Sequence, residues 1–226
     1  MRRFEFSVNS AHAKAVNEAV ADVRRVRVVG FATVIAFALV AAWLYWLGHV
    51  WSYMLAIAPT IGAATALWVA IHAPSRIGSL ERLYAEGALV PAVVADIRAH
   101  GITILALIDV ARPETVGTRY ALVARNVHAL PGHDVEPGAR VPAIAVVGDR
   151  GKPVGDMWQF ANPMPIAWAT TDGTVLDRAV QSIDDAEWEL LANTVDRSTA
   201  ALAAPERRLL LDPHELPDEL RPPNVD

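Results

Sequence analysis

The distribution of apolar and charged positions divides this chain before any composition is counted. From Val28 to Ser75 no Asp, Glu, Lys or Arg occurs in 48 consecutive positions. Val28–Leu47 is 20 residues long, enough at ~1.5 Å per residue to cross a ~30 Å hydrocarbon core. Gly48 and His49 interrupt the run, and Val50–Ile71 continues it for 22 residues. Two apolar helices joined by so short a break predict an antiparallel membrane hairpin. Trp43, Tyr45, Trp46, Trp51 and Tyr53 crowd the turn, where rings of that kind prefer the membrane–water interface. Ala56, Gly62, Ala63 and Ala66 offer small surfaces for close helix packing. With 27 residues before it and a second span directly after it, the first stretch reads as an anchor rather than a cleaved signal.

Elsewhere the period changes. Phe4, Phe6 and Val8 alternate as in a short strand, and from Ser10, a candidate cap, apolar residues recur at helical spacing toward the first span. Ile77–Glu86 predicts a short helix ending at Gly87. Leu89–Arg98, Ile102–Val110, Tyr120–Val127 and Val141–Val147 are rich in β-branched residues and separated by turn signals. A fifth extended stretch, Met157–Thr170, carries Pro163 and Pro165, which suit an edge strand. Five short strands predict a small OB-like or SH3-like β-barrel, with a curled sheet or a sandwich as alternatives. Thr174–Ile183 and Asp184–Ala204 predict C-terminal helices, the second opening on an Asp184–Glu187 capping box. Proline-rich 205–226 predicts a mostly disordered tail, with room for one turn around Leu209–Leu211. The expected organisation is a basic segment 1–27, a transmembrane hairpin 28–75, an α+β head 76–204 and the tail.

Charge sharpens the picture. The net charge of −5 is unevenly spread: residues 1–27 hold six Lys/Arg against Glu5, Glu18 and Asp22, and the rest of the chain is acidic. Cations before the first span and after the second, with none in the turn, predict a multi-pass plasma-membrane protein with both termini cytoplasmic. Arg24, Arg25 and Arg27 can also attract anionic lipid headgroups, although an orientation signal alone explains them. An acidic head argues against nucleic acid as a partner. The absence of cysteine excludes disulfides, thiolate metal sites and a cysteine nucleophile.

No hydrolase, nucleotide-binding or zinc-protease motif is present, and no catalytic residue, cofactor or metal ligand is assigned. His100, His128 and the His133–Asp134 pair, with Asp149 and Asp156, are the acid–base candidates, but all read equally as turn or strand-face residues. The loop from Gly148 to Asp156 has three glycines, yet it fits no phosphate-binding pattern. Trp158, Phe160 and Trp168, with Trp188, are the candidate binding aromatics; a domain core is their simpler use, and a groove for a partner or an acyl chain the alternative.

Phe4-x-Phe6, Asn17, Arg24-Arg25, the two spans, Leu89-Val90-Pro91-Ala92, Gly101-Ile102-Thr103 and Gly138-Ala139-Arg140-Val141-Pro142 together resemble an uncharacterised family of actinobacterial membrane proteins with a β-rich head. The resemblance implies a mycobacterial or related source and lends no catalytic residues. The expected role is an accessory or scaffold protein, held in the lipid bilayer, whose head meets a membrane-protein or envelope-biogenesis partner or another copy of itself. The alternative is a lipid- or acyl-ligand-binding head, with or without enzymatic activity. A cavity lined by the head's tryptophans would favour that alternative; a filled core would favour docking.

Overall fold

The structure is a computed structural model that describes residues 2–16, 18–72, 80–99, 101–115, 117–132, 135–149, 151–153 and 155–221, side chains 14, 18–24 and 26 apart. The chain forms two compact units, Asn17–Leu80 and a head built from Met1–Val16 together with Glu81–Asp226.

The smaller unit is a helical hairpin. Helices α2 (Glu18–Trp46) and α3 (Val50–His72) contain apolar stretches, Arg27–Trp46 and Val50–His72, long enough to cross a membrane. Gly48 turns the chain at φ +68°, and His49 and Ser52 exchange bonds at the start of α3: the His49 N–H donates to Ser52 Oγ (3.2 Å) and that hydroxyl donates to the His49 carbonyl (2.7 Å). Small residues let the helices meet, as a Cβ on Gly30 would stand 2.9 Å from Ala70 Cβ and one on Gly62 would stand 3.0 Å from the Phe37 ring. Most large apolar side chains of both helices point outward, as in a hairpin surrounded by lipid.

The head is a curled, antiparallel half-barrel with helices on it. After α4 (Leu80–Glu86), Gly87 makes a turn in which a Cβ would lie 2.2 Å from Ile144 Cγ2. Strands β1 (Ala88–Arg98), β2 (Gly101–Asp109), β3 (Tyr120–Val127), β4 (Arg140–Gly148), β5 (Phe160–Pro165) and β6 (Arg208–Leu210) pair in the order β5-β4-β1-β2-β3-β6. The register shift between Val94 and Asp96 leaves one extra residue in β1 and bends the sheet. Among the described residues no ladder joins β5 to β6. The seam is instead spanned by Arg125 of β3, whose Nη1 donates to Asn162 Oδ1 (2.7 Å) and to the Pro163 carbonyl (3.2 Å) of β5. The sheet is therefore a half-barrel, which meets the curled-sheet alternative to the OB-like or SH3-like barrel. Edge strand β5 carries the two prolines, which withhold donors from further pairing.

Small residues of the inner face, among them Ala92, Ala106, Ala121 and Ala143, leave room for Trp168, which is 0% exposed. The opposite face is covered by α5 (Gly173–Gln181), α6 (Asp185–Asn193) and α7 (Ser198–Ala203). The helix expected over 184–204 is broken at Thr194, whose hydroxyl donates back to the Leu190 carbonyl at 2.8 Å.

Three local expectations need correction. The residues expected to form a separate basic segment are divided between the units: 2–16 pack on the head, with Phe4 buried and Phe6 edge-on to Tyr84. Asn9, not Ser10, caps α1 (Ser10–Val16), accepting the His12 N–H at 3.1 Å, while Ser10 Oγ donates to Glu81. The described part of the supposed tail is structured: Leu209 pairs with Leu122 at the free edge of β3, and Leu211 and Leu216 are buried. Burial of these leucines gives the segment the apolar contacts that its proline content seemed to deny it.

Candidate functional site

The site originates in a pair of prolines. Pro91 of β1 stands opposite Pro142 of β4. The β1–β2 ladder begins only at Ala92 opposite Ala106, because Pro91 has no N–H with which to extend it. Beyond that point Ala88–Pro91 pairs only with β4 and Leu107–Asp109 only with β3, so the two central strands part. A cavity of about 450 Å³ opens in the split. The chain's own N-terminus enters beside it: the Leu89 N–H donates to the Arg2 carbonyl at 2.7 Å.

The cavity is apolar in its walls and acidic at its rim. Leu83, Leu89, Leu107, Val146 and Leu220 supply hydrocarbon; Glu86, Asp109, Asp184, Glu187 and Glu219 supply carboxylates. Arg2 pairs with Asp184 and, through Nη1, with Glu187 Oε2 at 3.1 Å. The Asp184–Glu187 spacing that suggested a capping box is thus used to hold a guanidinium, and no side-chain cap bond forms at Asp184. Asp109 accepts the backbone N–H groups of Ala111 (3.0 Å) and Arg119 (2.9 Å). Burial pushes the Tyr120 phenol up to about 12, with the negative charge of Glu187 and Asp109 adding to the effect. The Thr118 hydroxyl, on the same wall, is buried with no hydrogen-bond partner. Among the described residues the lining offers carboxylates, the Thr118 hydroxyl and a Tyr120 phenol that is protonated at neutral pH, an arrangement that can recognise a cationic group.

The aromatic candidates do not gather into a binding site. Trp168 is in the core, its indole N–H donating to the Ala129 carbonyl at 2.9 Å under the Arg125 guanidinium at 4.8 Å. Trp158 is half-buried beneath Arg112 at 4.7 Å, and its indole N–H has no partner. Phe160 lies at the polar seam between β3 and β5 and packs over Gly148. Trp188 is 2% exposed, with Arg140 over its ring. None of the four lines the split.

Of the acid–base candidates, His100, His133 and Asp134 lie outside the described residues, and His128 is exposed at the end of β3. Asp149 is bonded through both oxygens to Arg112 Nη2 at 2.8 Å, and the Asp156 carbonyl accepts the Arg112 N–H at 3.0 Å. Arg112 thereby ties down the described part of the glycine-rich loop, and its charge is balanced by Asp149. Arg25 lies just before the apolar stretch of α2 and Arg27 opens it, both exposed; the side chain of Arg24 is outside the described set. Among the described residues no group of three or more His, Cys, Asp or Glu is placed to hold a metal ion. Sequence reasoning missed the split, whose available signal was Pro91 and Pro142 inside runs that otherwise read as central strands.

The two apolar helices and the curled β head define a membrane protein with an α+β domain. Residues 75–199, more than half of the chain, match the family described as "Protein of unknown function (DUF3239)", and the chain belongs to that family. A solved structure described as "a putative membrane protein from Corynebacterium diphtheriae" is similar at 34% identity and a TM-score of 0.51, over 54% of this chain and 99% of that one. That neighbour comes from an actinobacterium, in keeping with the resemblance read from the sequence. No curated protein matches.

Proposed function

We propose that this protein is a non-enzymatic docking module, anchored by its hairpin and presenting the head to a membrane-protein partner. The observation that carries the reading is the division of labour inside the head. Its tryptophans are spent on the core and under arginines, whereas its split holds apolar walls and a rim rich in carboxylates. The acyl-ligand alternative called for a cavity walled by those tryptophans, and they do not line this one.

The packing of 2–16 on the head also supports a hairpin anchor. Chain on both sides of the hairpin belongs to one folded unit, so an even number of crossings returns it to the same face of the membrane. Removal of the first helix with a signal would take Arg2 and Phe4 from the head. Arg24, Arg25 and Arg27 beside the first span, against a turn without charge, favour the cytoplasmic face.

Photo-crosslinking in the native membrane tests this. A photoreactive residue at Leu83, on the cavity wall, should give one dominant protein adduct. The same group at Arg98, at the other end of β1, should not give it. Adducts to lipid alone from Leu83 would overturn the docking reading, and an adduct to a second copy of the chain would make the partner the protein itself.

A further inference from the structure

We infer that the split between β1 and β2 is a socket for an extended segment of a partner protein that carries an arginine or lysine beside apolar residues. This deepens the docking reading and rests on it. The chain's own N-terminus displays the mode of binding: the Arg2 carbonyl takes the Leu89 N–H as a neighbouring strand would, and its guanidinium reaches Asp184 and Glu187. Peptides that add to a sheet in this way gain affinity from main-chain bonds and selectivity from side-chain pockets. Pro91 keeps β2 from closing the gap, so the space persists.

With Arg2 in place about 450 Å³ is still open, within the range of ~300–1,000 Å³ typical of binding pockets. Leu89, Leu107 and Leu220 would cover the stem of a long basic side chain. Arg82 pairs with Glu86 at 2.7 Å and Arg2 with Asp184 and Glu187, but Asp109 and Glu219 add two more carboxylates, so five carboxylates face two guanidinium groups and the rim stays negative; a buried Thr118 hydroxyl without a partner lies on the same wall. Charge complementarity therefore selects a cationic segment. Membrane proteins concentrate lysine and arginine next to their spans on the cytoplasmic face, which is where such a partner would meet this head.

The test uses the full chain in detergent micelles and a fluorescent peptide, acetyl-Leu-Arg-Leu-Arg-Leu-amide, with its glutamate counterpart as control. The basic peptide should bind saturably and weaken as salt is raised from about 50 to 300 mM, because the rim charges are screened. Changing Glu86→Gln and Glu219→Gln together, both exposed positions, should weaken binding roughly fivefold while leaving the melting temperature unaltered. Equal binding of the glutamate peptide, or an unchanged affinity in the double variant, would overturn the socket. So would arginine methyl ester binding as tightly as the peptide, which would make the ligand a small cation. A protein adduct from Leu83 combined with no peptide binding would refute the socket and leave the docking reading standing.

Discussion

Truncation of Trp168 separates a structural tryptophan from a ligand-lining one. The side chain is 0% exposed, donates one hydrogen bond to the Ala129 carbonyl and lies beneath Arg125. Replacing a buried aromatic by alanine costs ~3–5 kcal/mol, and the stranded carbonyl and lost cation–π contact add ~1 kcal/mol or more. Out of a typical total of ~5–15 kcal/mol, Trp168→Ala should consume a large share. For a unit of this size each kcal/mol lowers the melting temperature by ~2–4 °C, so a drop of ~10–20 °C is expected. Trp168→Phe keeps most of the ring and loses the N–H bond, for ~1–2 kcal/mol. Trp158→Ala removes a half-buried indole whose N–H bonds nothing and should cost much less than Trp168→Ala. Near-ultraviolet circular dichroism of the full chain in detergent, followed through the melt, measures all three. A Trp168→Ala protein melting within ~3 °C of the parent would refute the core assignment and revive an acyl-binding role.

Two further outcomes follow from the split. Arg2→Ala removes ion pairs that are partly exposed, so the expected loss is only ~1 kcal/mol, but the Leu89 N–H should exchange faster in hydrogen-exchange mass spectrometry; unchanged protection would mean that Arg2 does not hold the strand. Tyr120 should ionise near pH 12, read as the phenolate absorbance step missing from Tyr120→Phe. Because its folded value is raised above the ordinary 10, its contribution to stability is complete below pH 10 and is lost as pH rises toward 12; a step at 10 would show that the phenol is not buried beside Glu187 and Asp109.

Elements made by local pattern were legible in the sequence. The apolar runs marked both hairpin helices, and β-branched stretches placed β1, β2 and β3 to within about a residue, since each buries side chains on both faces and is bounded by turn residues. What escaped depends on partners far along the chain. Arg2 looked like one of six membrane-flanking cations, and its carboxylates lie 182 and 185 positions away. Leu209 and Leu211 sat among prolines and acidic residues, where only the free edge of β3 explains their burial or pairing. Strand count suggested closure into a barrel, but closure depends on whether the last strands meet, and Arg125 spans that seam instead of a ladder. The cavity was hidden because it is a failure of pairing, which no periodicity records.

Cysteine labelling of intact cells tests most directly the claim that the hairpin is inserted in the membrane between two parts of one head. The chain has no cysteine of its own, so single reporters are unambiguous. Val50, 81% exposed at the turn, is the outer reporter; Ser52 would be a poor one, being buried and bonded to His49. Ser7 and Ser182 are exposed on the head. An impermeant maleimide should label Val50→Cys in intact cells and reach Ser7→Cys and Ser182→Cys only after permeabilisation. Labelling of Ser182→Cys from outside would contradict the proposed cytoplasmic placement of the head, and opposite accessibility of Ser7→Cys and Ser182→Cys would contradict the inserted hairpin itself.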